Sequence, residues 1–188
     1  MNRIKFALAA AFLSVSVLSA RSVNAATDGD TQVNHALAVL SEDEQDRRDI
    51  ALKLAPVKSA AALAEYVKSV PGDQSPLSAL SPGAKARFIN GLTFNEKGLT
   101  SYNYADLKAE LTASQIYQLL SLFGVQHTTP LIRGARVQND TDRAILRLND
   151  NADIVRPLSD YGDYKCVTMA TCGRATDFIC IGQNCAKE

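Results

Sequence analysis

All four cysteines of this 188-residue chain crowd into its last 23 residues, at Cys166, Cys172, Cys180 and Cys185. Few large apolar groups accompany them, so burial alone cannot offset the entropy of ordering that stretch. The even number suits two disulfides, with the pairing open among three connectivities. A bridge closing a ~15-residue loop contributes about 3 kcal/mol in the chain-entropy picture. Zinc is the competing use of four thiolates. Structural zinc takes paired ligands two to four residues apart, and only the last two cysteines have that spacing. No metal or other cofactor is expected. Residues 165–181 also read as a β-hairpin with its turn at Gly173-Arg174. In a regular hairpin of that register Cys180 lies about five residues beyond the turn, and at ~3.3 Å per residue this places it out of bonding reach of Cys172.

The opposite end of the chain supplies the compartment. Arg3 and Lys5 precede an apolar run over residues 6–18 interrupted only by Ser14 and Ser16. Val23, Asn24 and Ala25 then offer small or aliphatic residues for cleavage before Ala26, the pattern of a secretory signal peptide. The run is too short for a permanent span of a ~30 Å hydrocarbon core, so no stable membrane insertion is expected after cleavage. Export to the periplasm or the extracellular space agrees with disulfide pairing at the far end.

Charge narrows the partners. The 20 basic and 20 acidic residues cancel, yet Arg3, Lys5 and Arg21 lie in the leader and no acidic residue does. The exported chain is therefore slightly acidic and lacks the excess needed to neutralise phosphates, which argues against nucleic acid. At 46% apolar and 21% charged residues the composition is that of an ordinary globular domain.

Between these ends the pattern is helical. Residues 26–30 are polar and expected to fray. Val33, Ala36, Leu37 and Leu40 mark one helix face, and Ser41 with Glu44 has the form of a capping box opening a second helix, with Ile50, Ala51 and Leu54 inward and Pro56 as its stop. Ser59 opens a third, with Leu63, Tyr66, Val67 and Val70 inward. Ser81-Pro82 opens a fourth, bearing Phe88, Ile89 and Leu92. A small hairpin across 92–102 turns at Gly98. Tyr104, Leu107 and Leu111 mark another helix. Thr112 with Gln115 caps the strongest stripe, Ile116, Leu119, Leu120 and Phe123, ended by Gly124. Beyond Pro130 five Arg and five Asp alternate, and residues 142–149 favour a short helix.

Candidate chemistry is sparse. His127 lies in a loop with Ser121 upstream, but no nucleophile turn of the G-x-S-x-G kind surrounds a serine. Arg133 and Arg136, with His127, are the candidate ligand-binding side chains, since a guanidinium forks onto carboxylate or phosphate. Residues 149–160 weakly imitate a calcium loop but put Ile154 where glycine is needed. Asn139-Asp140-Thr141 fits a glycosylation acceptor.

The expectation is a mainly α chain: signal peptide 1–25, a bundle of five or six short helices within 26–130, and a less regular segment 131–188 ending in a disulfide-bonded module, 165–188. Its function is expected to be binding a protein or cell-envelope partner outside the cytoplasm. The alternatives are a small secreted hydrolase using His127, or a processed precursor or toxin whose Cys-rich tail is the active piece.

Overall fold

The structure, a computed structural model, describes residues 25–147, 160–168 and 170–186, with the side chains of 25–34, 37 and 41 left aside. Nearly all of the segment 1–25 read as a signal peptide, and nearly all of the calcium-like stretch, lie outside those residues.

The chain opens with one long helix, α1 (Ala25–Leu54). This replaces the frayed start and the two short helices expected there. No Gly or Pro interrupts residues 31–54, and Glu44 reaches forward to Arg47 and Arg48 at 2.8 Å each, reinforcing the helix through Ser41 instead of capping a new one. Pro56 lies just beyond its end. The inner face also differs from expectation. Ile50 and Leu54 are 55% and 77% exposed, while Ala51 and Leu52 lie on Gly124. A Cβ on Gly124 would come within 2.7 Å of the Leu52 Cα, and its φ of +71° suits glycine. The helix stop read from sequence is thus also the floor on which α1 rests.

Helix α2 (Ala60–Ser69) is capped by the Ser59 hydroxyl accepting from the Ala62 amide. Helix α3 (Pro82–Asn90) is capped by Ser81, whose own amide and hydroxyl donate to the Glu110 carboxylate at 2.7 Å. Then come β1 (Thr93–Asn95) and β2 (Gly98–Asn103), α4 (Ala105–Glu110) and α5 (Ala113–Ser121). The Thr112–Gln115 capping box is formed in both directions. A 3-10 segment (Gln126–Leu131) leads to α6 (Asp140–Arg147), and the tail forms β3 (Tyr161–Thr168), β4 (Thr171–Cys180) and the short α7 (Gly182–Cys185).

The expected helical bundle is not what forms. The four strands make one antiparallel sheet in the order β1-β2-β4-β3, and Leu99, Tyr102 and Ile179 from its strands share a core with Phe88, Leu107, Ile116, Leu119 and Phe123. Both hairpins, across 92–102 and over 165–181, stand where the sequence reading put them, but their joining through β2 and β4 escaped it, because Gly98 through Tyr102 are all buried. A strand covered on both faces has no alternation of apolar and polar residues to reveal it. The apolar stripes of the short helices are therefore satisfied partly by the sheet.

The tail hairpin is also irregular. Its turn lies between Thr168 and Thr171, with Ala170 at φ 61°, so Gly173 stands within β4 opposite Lys165. The pairing runs Gly162 to Ile179 and then jumps to Tyr164 with Arg174, leaving 175–178 bulged out against Asp163. Asp163 and Asp177 take φ of 64° and 60°, a conformation Asp tolerates better than most residues. The Asp163 carboxylate accepts from the Tyr104 hydroxyl at 2.7 Å and the Asp177 amide at 3.2 Å, pinning the bend to α4.

Candidate functional site

The helical face offers an open apolar groove of about 420 Å³, lined by Ala60, Leu63, Ala64 and Val67 of α2, Ile89 of α3, Leu92 just before β1 and Phe94 within it, with Lys68 at its edge. Its origin is local. Two of the four alanines of α2, Ala60 and Ala64, line the groove, and their small side chains leave space above buried Leu63. Val67 remains 43% exposed, while Ile89, Leu92 and Phe94 are half-buried against the core. The sequence reading placed Val67 inward and set Ile89 and Leu92 with Phe88 on one side of their helix. The available signal was the run of alanines at 60–64, which cannot fill a helix–strand interface.

A second constellation joins distant parts of the chain. Asp160, at the entry to β3, has a side chain only 4% exposed. One oxygen accepts from Arg48 of α1 at 2.8 Å and meets His127 Nε2 at 3.0 Å, and the other accepts the Gly182 amide at 2.9 Å. Burial opposes ionisation of Asp160, but the hydrogen bond and charge of His127, the Arg48 guanidinium and the Gly182 amide outweigh it and hold the carboxyl below its usual range. An ionised carboxylate only accepts, so the proton of this contact sits on His127 Nε2. Gln183 of α7 donates to Asp49 at 2.7 Å beside it. The arrangement ties α1, the 3-10 segment, β3 and α7 at one point. Sequence reasoning singled out His127 but had no means to find Arg48, which lies 112 residues from Asp160.

The structure does not gather the predicted ligand-binding residues into one site. His127 goes to Asp160. Arg133 is 87% exposed with Asp163 at 3.8 Å. Arg136 donates to the carbonyls of Glu110 and Leu111 at the end of α4. The Ser121 hydroxyl donates to the Gln118 carbonyl at 2.7 Å, so it is not the partner of His127. Asn139 and Asp142 cap each other. Asp142 is buried and accepts from the amides of Gln138, Ser114 and Asn139, which hold its carboxyl well below the ordinary range.

The four cysteines form two disulfides, Cys166–Cys185 and Cys172–Cys180. The second is the pairing a straight ladder would forbid. Its Cα atoms lie 6.0 Å apart because the hairpin doubles over at the 175–178 bulge. Among the described residues no helix is long and apolar enough to cross a membrane. No protein family, curated protein or solved structure matches the chain.

Proposed function

We propose that the chain is an exported binding module, and that the groove between α2, α3 and β1 receives the apolar face of a helix from a protein partner. The groove is the observation that supports this reading. It is open, apolar and built on three elements anchored in the core, which is how helix-in-groove recognition works. Lys68 at the edge favours an acidic flank on the incoming helix. Export rests on the basic start, the apolar run and the cleavage pattern at Ala25, and the two disulfides agree with an oxidising compartment. The slight acidity of the exported chain disfavours nucleic acid.

The His127 cluster reads as a structural tie. Its carboxylate is already shared with Arg48 and the Gly182 amide, so it is not dedicated to orienting the imidazole as a catalytic triad requires. A released toxic tail fits less well, because β4 pairs with β2 and Ile179 and Ile181 sit in the core.

A photo-crosslinking residue at Val67 in the exported full-length chain tests the proposal. The expected result is an adduct to an apolar helical segment of one partner, abolished by Ala64→Phe, which fills the groove. Adducts identical to those from Val137, an exposed control outside the groove lining, would overturn it.

A further inference from the structure

The two disulfides lie in contact with each other. The Sγ atoms of Cys166, Cys180 and Cys185 all fall within 4.8 Å of one another. Each bridge joins a half-buried cysteine, Cys166 or Cys172, to a fully buried one, Cys185 or Cys180. The half-buried pair face each other across the hairpin as Cα partners, and antiparallel partners stand about 4.5–5.5 Å apart, inside the range a disulfide spans. Both alternative partners, Cys166 with Cys172 and Cys180 with Cys185, are therefore at hand.

A second observation singles out one bridge. Ser101 is fully buried and its hydroxyl has no hydrogen-bond partner among the described residues, an expensive arrangement in a core. It stands directly opposite Cys180 in the β2–β4 ladder, so the two side chains share a face with Cβ atoms about 5 Å apart. The other bridge is surrounded differently. The Thr168 carbonyl oxygen lies 3.5 Å from Cys166 Sγ and 3.6 Å from Cys185 Sγ, and that of Thr171 lies 3.7 Å from Cys185 Sγ. Carbonyl dipoles repel a thiolate, whereas a free hydroxyl stabilises one.

From this we propose that the tail is a thiol–disulfide exchange site for a low-molecular-weight thiol, entered at Cys172, with Ser101 as the positioning residue for the Cys180 thiolate. The incoming thiolate bonds to Cys172 Sγ. The Cys172–Cys180 bond breaks, and its electron pair leaves on Cys180 Sγ. The Cys180 thiolate then bonds to Cys185 Sγ and displaces the Cys166 thiolate. Cys166 bonds to Cys172 Sγ and expels the original thiol unchanged. Nothing is oxidised or reduced overall. The chain passes from Cys166–Cys185 and Cys172–Cys180 to Cys166–Cys172 and Cys180–Cys185. In the starting state both bridges tie the outer hairpin to its base and α7. In the product the outer hairpin is bridged only to itself, so its covalent tie to the body is released.

Trypsin distinguishes the two states because Lys165, Arg174 and Lys187 bracket the pairs. Peptide 166–174 carries Cys166 and Cys172, and peptide 175–187 carries Cys180 and Cys185. The oxidised full-length protein is incubated anaerobically with reduced glutathione, capped with N-ethylmaleimide, digested and weighed. The starting state yields the two peptides joined. The expected result is that each peptide then appears alone, closed by its own bridge, before free thiols accumulate. A joined pair that persists, or that gives way only to fully reduced peptides, would overturn the exchange. Ser101→Ala is expected to slow the conversion about tenfold, the worth of a hydrogen bond to a charged group, and to move its pH dependence to higher pH. Ser101→Thr restores both, and Ser121→Ala changes neither. A Ser101→Ala protein with the original rate and pH profile removes Ser101 from the proposal. The trypsin result on the unaltered chain stands even if that variant does not fold.

Discussion

Helix α5 and the tail hairpin are held by opposite means. In α5 the residues Ile116, Leu119 and Leu120 have no solvent exposure, and a reciprocal cap fixes the helix start. In the hairpin no residue of β3 is fully buried, and only the base of β4 is. Two disulfides and the Asp163–Tyr104 and Lys108–Asp177 contacts do the holding there. Where apolar area suffices, the chain needs no cross-link. Where a segment must bend with little to bury, covalent bonds and polar pins replace the core. Asp160 stands between the two regimes and connects them.

That contrast can be broken first at Asp160. Asp160→Ala removes the 4%-exposed carboxylate that Arg48, His127 and the Gly182 amide share, while Arg48 keeps Glu44, and the loss expected in urea unfolding is about 3 kcal/mol. Leu119→Ala removes a buried side chain and should cost about 3 kcal/mol without changing hairpin hydrogen exchange. Replacing Cys166 and Cys185 together by serine should cost about 2–3 kcal/mol, with the added exchange confined to residues 161–180. If its amides exchange no faster, the cross-link account of the tail is wrong. Thr112→Ala deletes a cap and should cost about 1 kcal/mol, read as a small shift of the urea midpoint.

Acid sharpens the comparison further. The Asp160 and Asp142 carboxyls lie below their ordinary range when folded. Their stabilisation is therefore complete above the unfolded carboxylate pKa of ~3.9 and is lost as pH falls through the lower folded values. Stability should decline below about pH 4, and Asp160→Asn should flatten part of that decline in a pH series of urea midpoints.

The local parts of this fold were legible. Ser59, Ser81 and Thr112 each supply a hydroxyl to an amide three residues on, and each opens the helix its sequence announces. The Ile116–Phe123 stripe is core, and Gly124 ends it. Position 41 misled because Ser-x-x-Glu is a start signal only where the preceding turn is not already helical. The groove was half-legible. Its residues were identified as apolar, but whether Val67 would be covered depended on what the alanines of α2 left unfilled. The Arg48–Asp160–His127 cluster had no local signature at all.

The sequence by itself determined where α2, α3 and α5 begin, that the Ile116–Phe123 stripe is buried, and that the tail requires cross-links, because these follow from backbone capping, side-chain spacing and composition within a few residues. Only the tertiary structure decided that β2 and β4 share a sheet, that Cys172 bonds Cys180, and that α1 rests on Gly124. Each of those depends on elements far apart in the chain meeting in space, and on a bend whose cost is offset by contacts no short window contains.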